Sequence, residues 1–553
     1  MLRQRLETSI RETIRRRWPE VDPNEVRIEQ AREKEHGDFA ANAAFVLAKR
    51  LGRPPRSIAE ELLPALEADP LVEKASIAGP GFLNLKLRLE AYHDLLAHIL
   101  EAGDSFGRSA LGSGCFRQIE FVSANPTGPL NIVSARAAAV GDALARLFEA
   151  AGDRVEREFY VNDHGSQVDH LVESVLWHKG GGVGPFPEEG YRGAYVEELA
   201  RESESALGPA GPPSGAGGAA GPGGDRARLR AWLLERMIGS QEAGLQAFAV
   251  RFDRWFRESE LHDGGEVERA LEDLVRAGDV YEKDSARWFR STKYGDDEDR
   301  VVVRSNGQPT YFLADVAYHR NKAARGYDHV IDILGPDHHG HVARMQAAVR
   351  SLGRPKDGLE VLIVQQVNLL RGGETVKMSK RAGEFVTLGD LVEEVGADAA
   401  RFFFVMLRPN SHLNFDLDLA KKKSLDNPVY YVQYAHARIS SVFAHARAAG
   451  IDEEPAAGGS PFASLTHEGE IELLRLLDAF PDAVAGAAAT REPHRIPAYL
   501  RELASAFHTY YHQAKIVGEG EEVTRARLAL AGAVRTVLRS GLGLLGVTAP
   551  ESM

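Results

Sequence analysis

Residues 117–161, RQIEFVSANPTGPLNIVSARAAAVGDALARLFEAAGDRVEREFYV, decide how the rest of the chain folds. RQIEFV is a short run rich in branched and aromatic side chains, the composition of a strand. SANPTGP carries Pro and Gly and reads as a loop. Residues 132–151 are helical, and VEREFYV returns to strand. A strand, a helix and a second strand within about 45 residues make a βαβ unit, which joins parallel strands through a crossover. The expectation is therefore an α/β domain around a parallel sheet. Glu120 falls at the end of its first strand, where open α/β sheets bind ligands.

Working outward, strand signals resume at DRVVVRS (299–305), with Asn306-Gly307 as a hairpin turn, then at HVIDIL (329–334) and VLIVQQV (361–367). Between Gly180 and Asp225 lie three successive glycines and GPAGPPSGAGGAAGPGGD, a composition that reads as a flexible surface linker interrupting the α/β domain. From about Leu419 to Val547 the pattern is helical at 3.6 spacing, with breaks near 451–462 and 517–523, and predicts a helical bundle. Upstream, a charged amphipathic helix, a helical stretch near Ala40–Arg50 and the strand GFLNLKLRL predict a small α+β unit. The expected domains are 1–110, α+β; 111–418, Rossmann-like, with the linker at about 180–225; and 419–553, all-α.

The chain has 553 residues with 67 Lys+Arg against 80 Asp+Glu, a net charge of −13, which excludes a protein that coats nucleic acid through overall charge. A polyanion must be met by local patches. The single cysteine, Cys115, excludes an intramolecular disulfide and a multi-cysteine zinc site and suits a reducing cytoplasm. The N-terminus alternates charges instead of showing an apolar signal core, and no uninterrupted apolar stretch is long enough to span a membrane.

Lys377-Met378-Ser379-Lys380, followed by Arg381-Ala382-Gly383, places several cations beside a glycine in a loop after a buried strand, where they can neutralise a polyphosphate leaving group. These residues resemble the KMSK signature of class I aminoacyl-tRNA synthetases. Longer stretches resemble bacterial arginyl-tRNA synthetases: EFVSANPTGPL (120–130), FYVNDHGSQ (159–167), PTYFLADVAYH (309–319), LGPDHHGH (334–341), VKMSKRAGEFVTL (376–388), DNPVYYVQYAHARI (426–439) and GLGLLGVTAPESM at the end. With HGDFAANAA (36–44) and GPGF (79–82) upstream, the blocks run in order from the first expected domain to the last residue. The resemblance implies a class I fold that joins L-arginine to tRNA(Arg) with ATP and Mg2+ as substrate, acting as a cytoplasmic monomer.

A guanidinium is held best by carboxylates in a fork with an aromatic neighbour. Tyr311 and Asp315, four apart, share a face if PTYFLADV opens a helix. The resemblance implies that Glu120, Tyr311 and Asp315 hold the guanidinium while Ser123 and Asn125 meet the polar end of the amino acid. It puts ATP against Pro129, Asn131, Val133, Ser134, Asp337, His338 and Lys377–Lys380, with Met378 and Ser379 in that loop. Catalysis falls to Lys377, Lys380, Arg136, Asn131 and Ser134. The family's second signature, H-I-G-H, reads Asn131-Ile132-Val133-Ser134 here: both histidines and the glycine are replaced, no positive charge remains, and Val133 puts a branched side chain toward adenine. An alternative reading follows, a paralogue that binds tRNA or arginine without activating it.

Asp337-His338-His339-Gly340-His341 has the residue types of a metal site, but adjacent histidines diverge, and no structural metal is expected. For tRNA, the resemblance implies contact by the helical bundle with the anticodon arm, through Lys421, Lys422, Tyr434, Arg438, Arg525 and Arg527, and by the N-terminal unit with the outer corner. Read from the residues alone, Tyr430, Tyr431, Tyr434, Tyr510 and Tyr511 suit interhelix packing better than base stacking.

Overall fold

The computed structural model describes residues 1–31, 36–109, 114–208, 222–376, 386–451 and 461–553, the side chains of 222 and 223 excepted. The strand Phe116–Glu120 lies at the middle of a five-stranded, wholly parallel sheet, ordered Leu359–Ile363, His329–Leu334, Phe116–Glu120, Arg154–Val161, Arg254–Arg257. The crossover helix Ile132–Ala150 is rich in alanine, which lets it sit close on the sheet. Gly141 marks the closest approach: a Cβ there would enter the Phe121 ring. Ile119, Phe121, Phe159 and the helix residues Ala139, Val140 and Leu144 are buried between the two layers.

From Phe116–Glu120 the chain proceeds to one side of the sheet and later returns to the other side at His329–Leu334, so the strand order reverses between these two strands. Glu120 and Asp332 are paired in register at that reversal. Ligands of open α/β sheets bind in the crevice at the carboxyl ends there.

Around this sheet, four antiparallel strands (Ile28–Gln30, Phe39–Ala41, Phe82–Leu87, Val72–Ala78) and the helices Leu2–Arg17, Ala43–Leu51, Pro55–Glu67 and Leu89–Ala102 form the N-terminal unit. Four long helices, Pro428–Ala448, Glu468–Thr490, Arg495–Gln513 and Glu521–Leu544, form the C-terminal bundle. The Asn306-Gly307 turn reverses the chain after Arg300–Val303, bridging Val303 to Pro309 before the helix Tyr311–Ala324.

Two expectations are corrected. VLIVQQV is not one strand: Leu359–Ile363 belongs to the parallel sheet, whereas Val367–Arg371 joins a second sheet beside Leu413–Asp416. The chain leaves one sheet for the other where Val364 N donates to the Leu334 carbonyl and Gln365 N to the Pro409 carbonyl. The linker at 180–225 also folds in part. Ala194–Leu207 is a helix, and Pro222–Ala247 begins inside the expected linker. Val196, Leu199 and Ala200 close a small core with Leu171, Val172, Val175, Leu229, Leu233 and Met237. AYVEELA, flanked by glycines, carries an apolar face spaced for a helix. Residues 209–221, the most Gly/Pro-rich part, lie outside the described residues.

Candidate active site

The crevice at the strand reversal opens into a cavity of about 1580 Å³. Small-molecule pockets run from roughly 300 to 1,000 Å³, so this one has room for an amino acid and a nucleotide together. Glu120, Ser123, Asn125, Pro129, Asn131, Val133, Ser134, Tyr311, Asp315 and His338 all line it. Ten of the residues selected from sequence are thus brought to one wall system.

At one end sits a buried set of charges. Lys322 Nζ donates to Glu120 Oε2 at 2.6 Å and to Asp332 Oδ1 at 2.7 Å. Asp332 Oδ2 faces His319 Nε2 at 2.8 Å, and His319 Nδ1 faces the Asp315 carbonyl at 2.9 Å. Burial pushes both carboxyls up. At Asp332 it is outweighed by Lys322 and His319, which hold that acid well below the usual range, whereas at Glu120 burial wins and the shift is upward. Burial pulls Lys322 down, but the carboxylates around it outweigh that and raise it. Two acids share one buried lysine at this end, an arrangement that favours a further cation beside them.

Val122 and Ser123 turn through the left-handed region, φ 71° and 39°. Such a φ is strained for a branched residue such as Val122. The turn lets Ser123 Oγ donate to Glu120 Oε1 at 2.8 Å and accept from Tyr160 N at 3.1 Å. Tyr311 and Asp315 occupy the first turns of Tyr311–Ala324, on one face. The Asp315 carboxylate meets His341 Nε2 at 3.1 Å, while His341 Nδ1 accepts from Arg344 Nε at 2.8 Å. That leaves Asp315 with acceptor capacity toward the cavity.

The other end is the N-terminus of the crossover helix. Asn131 Oδ1 accepts from Val133 N at 3.0 Å and Ser134 N at 3.1 Å, so the side chain caps its own helix. With the oxygen held, the Nδ2 donors are what Asn131 can offer a ligand. Lining residues from Thr127 to Ala137 carry no carboxylate. Asn131 also bridges Thr387, and Leu388 N donates to the Leu130 carbonyl at 2.8 Å. The chain that follows the KMSK stretch therefore returns to this helix start. Lys377, Met378, Ser379 and Lys380 themselves lie outside the described residues. The loop between the two ends is held from behind by Tyr195, whose hydroxyl donates to the Thr127 carbonyl, and by Gln241, whose amide donates to the Asn125 and Gly128 carbonyls, each at 3.0 Å.

Three sequence selections are corrected. Arg136 is fully buried, off the cavity wall, and donates to the carbonyls of Gln365, Ser411 and Arg408; it ties the crossover helix to the second sheet instead of meeting a phosphate. Burial pulls its guanidinium down to about 10. Asp337 is exposed and off the wall, because the short helix Pro336–His341 presents His338 and His341 inward. Arg527 is buried on Glu470, Glu519 and the Lys515 carbonyl, an internal tie between bundle helices. Of the remaining tRNA candidates, Lys421 and Lys422 are exposed, the former 2.9 Å from Glu394, and Arg525 pairs with Glu521. Arg438 lies over the rings of Tyr434 and Tyr511.

Sequence reasoning missed Lys322, Asp332, His319 and Tyr160. Asp332 could have been found as a lone acid in the apolar strand HVIDIL, and His319 and Lys322 stand four and seven residues after Asp315, on the same helical face.

A parallel sheet with its cavity at the strand reversal is the architecture of the class I aminoacyl-tRNA synthetases, and residues 229–406 match the family model described as tRNA synthetases class I (R), catalytic domain. Residues 4–87 match the arginyl tRNA synthetase N terminal domain and 432–553 the DALR anticodon binding domain. The chain is 47% identical over 545 residues to the arginine–tRNA ligase of Desulforamulus reducens, covering 96% of this chain and 94% of that one. It is 47% identical over 546 residues to the ligase of Syntrophotalea carbinolica, covering 96% and 95%. The structure of Thermus thermophilus arginyl-tRNA synthetase superposes with a TM-score of 0.77 at 25% identity, covering all of both chains. This chain belongs to the arginyl-tRNA synthetase family.

Proposed function

We propose that the chain is an arginine–tRNA ligase, which activates L-arginine with ATP and transfers it to tRNA(Arg). The observation that carries this reading is the polarity of the cavity: the carboxylates of Glu120, Asp332 and Asp315 gather at the strand reversal, whereas the lining residues from Thr127 to Ala137 at the helix start carry none. That polarity directs a dibasic amino acid to the first end and a polyphosphate to the second. The curated relatives give no support to a paralogue that binds without activating.

In that orientation Glu120, Tyr311 and Asp315 take the guanidinium and Ser123 and Asn125 the polar end of the amino acid. The arginine carboxylate then lies toward the helix start, where it attacks the α-phosphorus in line. The P–O bond to the β-phosphate breaks and pyrophosphate leaves. Lys377 and Lys380 would neutralise the charge gained by the leaving group. Pro129, Val133, Ser134 and His338 would flank the nucleotide, with Asn131 donating through Nδ2. The magnesium ion arrives with ATP as part of that substrate, consistent with the lack of carboxylates among Thr127–Ala137. A ribose hydroxyl of the terminal adenosine, the 2′-hydroxyl in our reading, then attacks the acyl carbon and releases AMP. A fork of carboxylates rejects lysine, whose point charge satisfies only one partner.

On the same reading, 1–110 and 419–553 are tRNA-contacting domains flanking a catalytic domain at 111–418, with Lys421, Lys422, Tyr434, Arg438 and Arg525 as contacts, and the enzyme acts as a cytoplasmic monomer. Among the described residues no helix is long and apolar enough to cross a membrane. ATP–pyrophosphate exchange with arginine and tRNA(Arg) tests the reading: arginine-dependent exchange is expected, and a silent chain overturns it.

A further inference from the structure

The middle of the crossover helix is fastened to the C-terminal bundle by a buried charge that the mechanism above does not use. Arg401, on the helix Ala397–Val405, is fully buried, and its guanidinium reaches three separate parts of the chain. Nε donates to the Leu545 carbonyl at 2.9 Å, just past the last bundle helix. Nη1 donates to the Phe248 and Ala249 carbonyls at 3.0 and 3.3 Å, just past Pro222–Ala247. Nη2 donates to Asp142 Oδ2, in the crossover helix itself. Asp142 is buried too, and it also accepts from Arg146 Nε at 2.8 Å.

The fit is close on both sides. Gly546 follows Leu545 at φ 65°, and a Cβ there would enter the Arg401 guanidinium, so the chain passes directly over it. Ala249 holds φ 58°, in the left-handed region that a residue with a side chain occupies only where its surroundings fix it. Arg146 adds a second tie, since its Nη1 donates to the Gly543 carbonyl at 3.4 Å. Thr548 is held further on: its N–H donates to Asp398 Oδ1 at 3.1 Å, and its carbonyl accepts from Gln433 Nε2 at 2.9 Å. Residues 543–548 thus form a strap that the crossover helix and the helix Ala397–Val405 grip together.

What this joint controls follows from which elements carry each end of the cavity. Asn131, Val133, Ser134 and Ala137 stand at the start of the crossover helix, whereas Glu120, Tyr311 and Asp315 stand on a strand end and on Tyr311–Ala324. A displacement of the crossover helix therefore moves the first set relative to the second. We propose that Arg401 is a positioning residue for the activation step. By gripping Asp142 it uses the end of the bundle to hold the crossover helix where the α-phosphate lines up with the arginine carboxylate, and it touches neither substrate. The inference rests on the reading of the helix start as the nucleotide end.

The test compares the full chain with Arg401→Lys and Gly546→Ala. The first keeps a cation for Asp142 but cannot reach the three carbonyls together; the second pushes the strap off the guanidinium and leaves Arg401 and Asp142 unchanged. kcat and the KM values for ATP and arginine are read in pyrophosphate exchange with tRNA present, at a temperature where each variant is folded. In both variants kcat/KM for ATP is expected to fall about 10- to 100-fold, the cost of a displacement of about 1 Å at a reacting centre, with KM for arginine unchanged. The double variant is expected to be no worse than Arg401→Lys alone, because Gly546 acts through the guanidinium. An active native chain whose variants keep their kcat/KM for ATP overturns this inference alone. So does an equal rise in both KM values, the mark of a general loosening, or an additive double variant. If Arg401→Lys fails to fold, Gly546→Ala decides, and if that fails too, Arg146→Gln, at the partly exposed edge of the joint, decides on the same split. A native chain silent in exchange sinks the ligase reading and this inference with it.

Discussion

The two ends of the cavity are built on opposite plans. At the strand reversal, polarity is imposed from behind: a fully buried lysine holds Glu120 and Asp332, and each side chain that faces the ligand is fixed by one that does not. At the helix start, Asn131 satisfies its own helix, and the buried Arg136 behind it meets only backbone carbonyls. The first plan makes an end that recognises one shape of cation and tolerates little change. The second makes an end whose donors are uncharged and replaceable; on the proposed reading, phosphate neutralisation falls to Lys377 and Lys380. Substitutions at the two ends should therefore differ in kind as well as size.

The largest effect is expected at Lys322. Lys322→Met leaves two adjacent buried carboxyls without their cation, a loss of about 3–5 kcal/mol for one partner of a buried pair. Denaturant unfolding should show that loss near neutral pH and part of it recovered in mild acid, where the acids protonate. A loss under 1 kcal/mol would mean that the charges behind this end are not essential. Next comes Asp315→Asn, which keeps shape and removes the charge facing the guanidinium. Arginine affinity should fall about 10- to 100-fold, as for a charge-assisted hydrogen bond, with stability nearly unchanged; a parallel loss of ATP affinity would show that the ends are not separate.

At the other end, Asn131→Asp is the informative change. Asp caps a helix as well as Asn, so unfolding should shift by no more than about 0.5 kcal/mol. The substitution nevertheless exchanges the Nδ2 donors for a negative charge facing the phosphates, and KM for ATP should rise by about tenfold while KM for arginine stays put. If KM for ATP does not move, Asn131 is a cap and nothing more.

These differences also explain what could be read in advance. The βαβ unit and the bundle were legible because periodicity and loop chemistry are local. The residues on the cavity wall were legible where they stood in recognisable blocks, as Glu120, Tyr311 and Asp315 did. Arg136 misled because arginine near a signature suggests phosphate, whereas its burial depends on how the crossover helix meets a second sheet more than 200 residues away. Lys322 was invisible for the same reason. Its partners are set by tertiary register, Glu120 opposite Asp332, which no spacing in the chain announces.

The smallest expected effect is a pH dependence confined to the arginine end. Glu258 opens the short helix Glu258–Asp263 beside Tyr160, and burial pushes its carboxyl up to about 7; Asp315 and Asp163 add to the shift, and Tyr160 and His164 oppose it. His262 Nε2, 3.6 Å away on the same helix, and His164, stacked on His262, complete the groups that face it. The ionised form puts a negative charge at the arginine end of the cavity that the protonated form lacks. Arginine, being a cation, favours the ionised form, so binding below about pH 7 releases a proton. Its affinity should then rise with pH through 7, by at most tenfold per unit, and level off above about 8. Affinity for ATP should not follow. In Glu258→Gln that component disappears and the profile flattens; a native profile already flat between pH 6 and 8, or a slope that survives the substitution, would show that Glu258 is ionised throughout or that the histidines carry the effect.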